Sequence, residues 1–200
     1  MFATSQANTK DLKGIPLFVT TSDTTVGAID QSTNAFFRPE RIQIGTTSGF
    51  TSSAVFAVNG ISAMRKLINS TAYGNDTVDV FFASQDVAEA FDKEVETKEY
   101  INKTTQAMAD LGFEVAEYKG KTIIWDRYMG TGGSGLYNYI YAINTKHLWV
   151  AYNSKRWFYA TPFEPISSDI IGKVSKILVS VGLISNSLRT QGVGYGWTTL

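Results

Sequence analysis

The chain contains no cysteine, which excludes disulfide scaffolds, thiolate zinc sites and cysteine nucleophiles. Histidine occurs once, at His147, so a zinc site would have one nitrogen ligand to draw on. No stretch approaches the ~18 apolar residues of a membrane span, and no membrane partner is expected. The opening MFATSQANTKDLKG lacks the basic start and apolar run of a signal peptide. Charge is scarce too: 18% of residues carry it, against about 25% in ordinary domains. In its place stand 22 Thr, 17 Ser and 10 Asn, a neutral-polar surface suited to close contact with other protein.

What is present is enough for one domain, or one domain with two lobes. Apolar residues reach 44% and aromatics 13%, which excludes disorder. Basic and acidic residues balance at 18 each, which argues against nucleic-acid binding driven by bulk charge. That balance hides an asymmetry. Residues 1–75 carry six basic and four acidic side chains, residues 76–117 three and eleven, and residues 118–200 nine and three. Either the segments neutralise each other within one fold, or the subunit carries unlike patches suited to head-to-tail contact with copies of itself.

Proline occurs only at Pro16, Pro39, Pro162 and Pro165, so residues 40–161 are expected to hold most of the regular structure. Residues 15–20 read as a short extended piece and 41–44 as a strand. Ala54, Ala57, Val58, Ile61, Met64 and Ile68 follow helical spacing, predicting an amphipathic helix over 53–69. Thr51, Ser52 or Ser53 would cap it, Arg65 and Lys66 would sit in its last turns, and Ile61 and Ile68 would face a sheet. TVDVFFAS reads as a buried strand, and Ser84 caps a second helix with Val87, Phe91 and Val95 inward. On its wet side Glu89 with Lys93 and Glu94 with Lys98 are favourable pairs. The remainder reads as strands: FEVAEYKG and KTIIWDRYM about a turn at Lys119–Gly120, YNYIYAIN and LWVAYN about 145–147, RWFYATPF, and a final run. That run would place Ile177, Val179, Val181 and Leu183 on one face. The fold class is α+β.

Motifs of chemistry mostly fail on context. Gly130–Gly135 matches G-x-G-x-x-G, but a dinucleotide site needs a helix after it, and LYNYIYAIN is strand-like. A flexible hairpin tip fits better. Gly120-Lys121-Thr122 lacks the glycine that a phosphate loop has five residues earlier; Val115 stands there. His147 has no serine on a glycine elbow, because Leu136 replaces the second glycine after Ser134; it reads as a surface or capping residue. Glu94, Glu96 and Glu99, interleaved with lysines, read as a solvated helix face rather than a hydrolytic pair. Trp149, Tyr152, Trp157, Phe158 and Tyr159, with Lys155 and Arg156 between, form either a sugar- or base-stacking platform or a core and interface cluster. Inward packing at alternating strand positions favours the second. No catalytic, cofactor-binding or metal-binding residue is assigned.

Four segments together resemble the tailed-bacteriophage major capsid protein family, the Hong Kong 97-like fold. They are Asp11–Gly14 with TTVGAID (24–30) and NAFFR (34–38); VDVFFAS, a helix and LGFEVAEYKGKTIIWD; TKHLWVAYNSKRWFYATPFEP; and GLISNSLRTQGV. The resemblance implies a long spine helix at 53–69 and a mixed or antiparallel sheet. It implies one two-lobed capsid domain over 1–200, with a peripheral lobe (1–74 and 153–200) and an axial lobe (75–152). The family carries an N-terminal arm and an extended hairpin before the segment that begins here at residue 11, so the resemblance implies a chain lacking both, or a fragment. The implied function is that of a structural subunit with no cofactor and no catalysed reaction. It would be made in the host bacterial cytoplasm and located in the virion capsid. Its partners would be copies of itself in hexamer- and pentamer-type contacts, other virion proteins, and packaged DNA by non-specific contact at most. The alternatives from the residues alone are a small binding module that uses the aromatic strands for carbohydrate or peptide, and a carboxylate-based hydrolase.

Overall fold

A computed structural model describes residues 14–97, 116–130, 138–167 and 170–198. Glu99 and most of the glycine-rich segment 130–135 lie outside them. A single helical turn, α1 (Ile15–Phe18), opens the described chain, where extended structure was expected. Pro16 sits in its first turn, a position where the missing N–H is not needed and the fixed φ suits a helix. A hairpin of β1 (Thr25–Val26) and β2 (Ile29–Asp30) leads to β3 (Glu40–Gln43). Arg41 fastens this entry segment to the sheet edge by donating to the Thr20 and Ser22 carbonyls, to Gln31 Oε1 and to Asp23.

The body is a six-stranded mixed sheet of order β3-β14-β7-β4-β6-β5. Its other strands are β4 (Val80–Ser84), β5 (Ala116–Tyr118), β6 (Lys121–Asp126), β7 (Ile140–Ile143) and β14 (Gly192–Tyr195). The β3–β14 and β4–β6 pairs are parallel, and the other three are antiparallel. Between β5 and β6, Lys119 and Gly120 both take positive φ (52° and 70°), the geometry that matches strand twist in a two-residue hairpin.

Two helices cover one face: α2 (Phe56–Thr71) and α3 (Gln85–Thr97). Side-chain alternation sorts the sheet residues. Phe81, Ala83, Ile140 and Ala142 join the core beneath the helices, while Tyr141, Ile143 and Val193 join a second core with Ile15, Phe18, Val26, Met129 and Leu188. α3 follows its expected pattern, with Val87 and Phe91 buried and Val95 against the core. Ser84 Oγ accepts from Val87 N at 3.3 Å, the cap expected of it.

α2 departs from expectation in bounds and in face. It starts three residues later than predicted and runs to Thr71, so Arg65 and Lys66 lie short of its last turn. Val55 stands at its N-cap with no side-chain cap; Ser53 Oγ instead accepts from Val55 N. The buried stripe is Phe56, Asn59, Gly60, Ala63, Met64, Leu67 and Thr71. Val58 is exposed, and Ile61 and Ile68 flank the core half-buried. Two polar residues occupy the stripe because their groups are paired locally: Asn59 Nδ2 donates to the Ser53 carbonyl and Thr71 Oγ1 to the Leu67 carbonyl, each at 2.6 Å.

α2 lies close on the sheet because β14 offers glycines beneath it. A Cβ on Gly192 would come 2.9 Å from Leu67 Cδ2, and one on Gly194 would come 3.0 Å from Ile140 and 3.1 Å from the Trp197 ring. Gly194→Val is therefore expected to destabilise by about 1–3 kcal/mol through overpacking. Leu67→Ala should cost about 2–5 kcal/mol through the cavity it leaves. Val58→Ala, on the wet face, should stay within about 0.5 kcal/mol. Urea unfolding of the three variants checks the assignment of the helix face.

Candidate interaction surface

The rest of the chain leaves the body as a ribbon. Its strands are β8 (Leu148–Tyr152), β9 (Tyr159–Ala160), β10 (Glu164–Ser167), β11 (Ile170–Val174), β12 (Ile177–Leu178) and β13 (Val181–Ser185). They pair antiparallel in nested fashion, β8 with β13, β9 with β12 and β10 with β11. The expected single strand through 177–183 is thus two short ones, and Ile177 and Val179 are exposed.

The break has a cause on the opposite strand. Six residues, 153–158, separate β8 from β9, while only Val179 and Ser180 separate β12 from β13. The surplus forms a bulge containing a 3-10 turn at Ser154–Arg156. Hydrogen bonds hold it across the ribbon, with Asn153 N donating to the Ser180 carbonyl and Ser180 N to the Arg156 carbonyl, both at 3.0 Å. Asn153 Oδ1 accepts from Lys155 N. Phe158 takes φ +52°, a left-handed conformation that costs a bulky residue about 1–3 kcal/mol.

The bulge carries the aromatic residues outward. Tyr152 and Trp157 have ring centroids 4.9 Å apart, and Trp157 and Phe158 meet edge-on at 5.0 Å. Tyr152 is 61% exposed, Phe158 63% and Phe163 73%; Trp149, Trp157 and Tyr159 are also exposed. The expectation that this band packs inward is corrected: among the described residues no layer stacks on the ribbon, so these rings have no inside to face. At the root Leu148 and Leu183 reach the second core. The exposed rings give the ribbon an apolar surface, and Lys155 and Arg156 are exposed on the same bulge.

The root is fastened by polar contacts. His147, in a 3-10 turn over Thr145–His147, has Nδ1 2.8 Å from Asn186 Oδ1 and Nε2 3.2 Å from Asp76 Oδ2. It is neither a free surface group nor a cap but a bridge between three segments. Lys146 Nζ donates to Asp76 Oδ1 at 2.8 Å, and Thr145 donates to Asp79. Beneath them Asn144 N donates to Gln191 Oε1 at 2.8 Å, and Gln191 Nε2 donates to the Asn144 carbonyl at 3.1 Å. The hydrogen bonds from Lys146, and then from His147, hold the Asp76 carboxyl below its ordinary value of 3.8. The same bond to Asp76 raises Lys146 above 10.5.

Of the other sequence candidates, Gly120 and Lys121 sit at the β5–β6 hairpin, where Lys121 Nζ donates to Thr77 Oγ1 at 3.0 Å. Glu94 lies half-buried on α3. Among the described residues the structure brings no acid–base constellation together from these candidates. Among the described residues there is no group of three or more His, Asp or Glu able to hold a metal ion, and no helix long and apolar enough to cross a membrane. No local motif signals the clasp at Asp76, His147 and Asn186, because its successive members lie 71 and 39 residues apart.

No family model matches the chain, and no curated protein matches it by sequence. Among solved structures it is similar to a chain of the cyanophage A-1(L) capsid asymmetric unit, with a TM-score of 0.63 and 15% identity. The match covers 94% of this chain and 61% of that one, so the chain spans about three fifths of its neighbour's length. The fold is α+β and phage-capsid-like.

Asp76 sets a pH dependence whose sign is fixed. Its lowered carboxyl contributes stability that is present above the ordinary carboxylate value and is lost as pH falls through the depressed one. Lys146, raised by the same contact, contributes below the ordinary lysine value and loses it as pH rises through the elevated one. Hydrogen-exchange protection at the root of the ribbon, in β8 and β13, each rate taken relative to its intrinsic value at the same pH, should therefore fall below about pH 4. In Asp76→Asn that protection should already be low at neutral pH and change little on acidification. An unchanged wild-type profile would remove the clasp from the account.

Proposed function

We propose that the chain is a structural subunit of a bacteriophage or prophage capsid of the Hong Kong 97-like kind. It acts by self-association into a protein shell around DNA and catalyses no reaction. The observation that carries this reading is the ribbon: a hydrogen-bonded arm, strained at Phe158, holding an apolar strip in solvent. Exposed apolar strips of that kind mark protein–protein contact. The capsid-like fold supports the same reading. On this proposal the partners are copies of the chain, in hexamer- and pentamer-type contacts, with other virion proteins around them and DNA touched only non-specifically. The site of action is the virion capsid, after synthesis in the host bacterial cytoplasm.

The two-lobed organisation belongs to the proposal as well, with a peripheral lobe over 1–74 and 153–200 and an axial lobe over 75–152. Strands from both ranges share the six-stranded sheet, since β3 and β14 lie beside β7 and β4.

A second reading has an observation of its own. Tyr152, Trp157 and Phe158 beside Lys155 and Arg156 form a ring cluster of the sort on which sugars or peptide side chains stack. Sizing chromatography and negative-stain microscopy of the full chain, with a glycan-array screen, separate the two. Rings or shells at micromolar concentration, with no glycan bound, are expected. A monomer at all concentrations that binds a glycan would replace the coat reading with the second one.

A further inference from the structure

Resting on the self-association reading, we propose which surface receives the ribbon: the outer face of α3 in the next copy, together with Trp125 and Tyr128 beside it. The two surfaces are complementary in charge. Residues 148–185 carry Lys155, Arg156, Lys173 and Lys176 against Glu164 and Asp169. α3 carries Asp86, Glu89, Asp92, Glu94 and Glu96 against Lys93 alone. Its apolar side is spent on the core, through Val87, Ala88, Ala90 and Phe91. Asp86, Glu89 and Asp92 face outward.

The complement is apolar as well. α3 packs against β6 and against the single helical turn α4 (Arg127–Gly130). These present Trp125, 55% exposed, and Tyr128, 74% exposed. α4 replaces the continuous strand expected through 121–129, because Asp126 Oδ1 accepts from Tyr128 N at 2.7 Å and starts a turn. An acidic helix packed on elements that carry two exposed aromatic rings thus matches a ribbon that carries exposed Lys155, Arg156, Trp157 and Phe158. The lengths agree: a 13-residue helix is ~20 Å long, and the eight residues from Lys173 to Ser180 span ~23 Å.

Charge also restricts the pairing. Ribbon against ribbon, or α3 against α3, would place like charges together, so the contact joins the ribbon of one copy to α3 of another. Such contacts form head to tail, closing into rings or propagating, or reciprocally across a two-fold axis.

The test uses two charge-reversed forms of the full chain, each checked by circular dichroism. One is Lys155→Glu with Arg156→Glu, the other Asp86→Lys with Glu89→Lys. Each alone should associate roughly tenfold more weakly than wild type in sedimentation velocity at low salt. A 1:1 mixture should recover association, because each ribbon then meets a helix of opposite sign. Should a reversed form fail to fold, Glu89→Gln with Trp157→Ala serves instead, and it should associate more weakly and with less salt dependence than wild type. Reversed forms that associate as well as wild type, or a mixture without recovery, would overturn the docking while leaving self-association standing. A wild type that stays monomeric would overturn both.

Discussion

Everything in the body depends on β14 fitting beneath α2. The strand lies between β3 and β7, pairing parallel with one and antiparallel with the other, and it does so under the longest helix in the described chain. Ordinary side chains at 192 and 194 would meet Leu67, Thr71, Ile140 and Trp197 at or inside contact distance. With hydrogen there instead, the helix settles onto the sheet, and Phe56 and Trp197 close the end of the core with rings 5.4 Å apart. Val193, between the two glycines, points the other way and anchors the second core. One short strand thus joins both cores and both halves of the sequence.

The ribbon is organised on the opposite principle. It has little core of its own, and its order comes from ladder pairs, from the bulge bonds around Asn153 and Ser180, and from the clasp at its root. Each of these is a polar contact of modest net worth. Cohesion therefore falls from body to arm, and the exposed rings sit on the part held least firmly. A surface that must fit a partner gains from such a gradient, since the arm adjusts while the sheet keeps its register.

The sequence showed most clearly the elements whose pattern is set by burial on one side. α3, its Ser84 cap, the β4 run and the Lys119–Gly120 turn all follow from local periodicity and turn chemistry. The α2 face was harder to see, because Asn59 and Thr71 occupy buried positions that a hydrophobic pattern skips, while exposed Val58 invites a false one. The ribbon misled for a related reason: alternation at 177–183 is real in the letters, but the bulge on the facing strand breaks the pairing that alternation implies. The aromatic band is plain in the letters, but the side its rings take is not, since single-strand periodicity cannot tell whether a second layer exists. The polar clasp joins residues far apart in the chain, and no local rule finds it.

The pairing of β3 with β14 has a kinetic consequence. Gly192 faces Glu40 across a loop of roughly 150 residues, and closing such loops slows folding because chain entropy is lost before the contacts form. The ribbon consists of nested, local pairs, and hairpins of that kind form in about 1–10 μs. Its sticky rings are therefore displayed on chains whose body is still open, at a stage when any neighbour is a partner. Dilute, slow refolding lets the body close before copies meet; crowded refolding couples the arms first and traps unfinished chains between them.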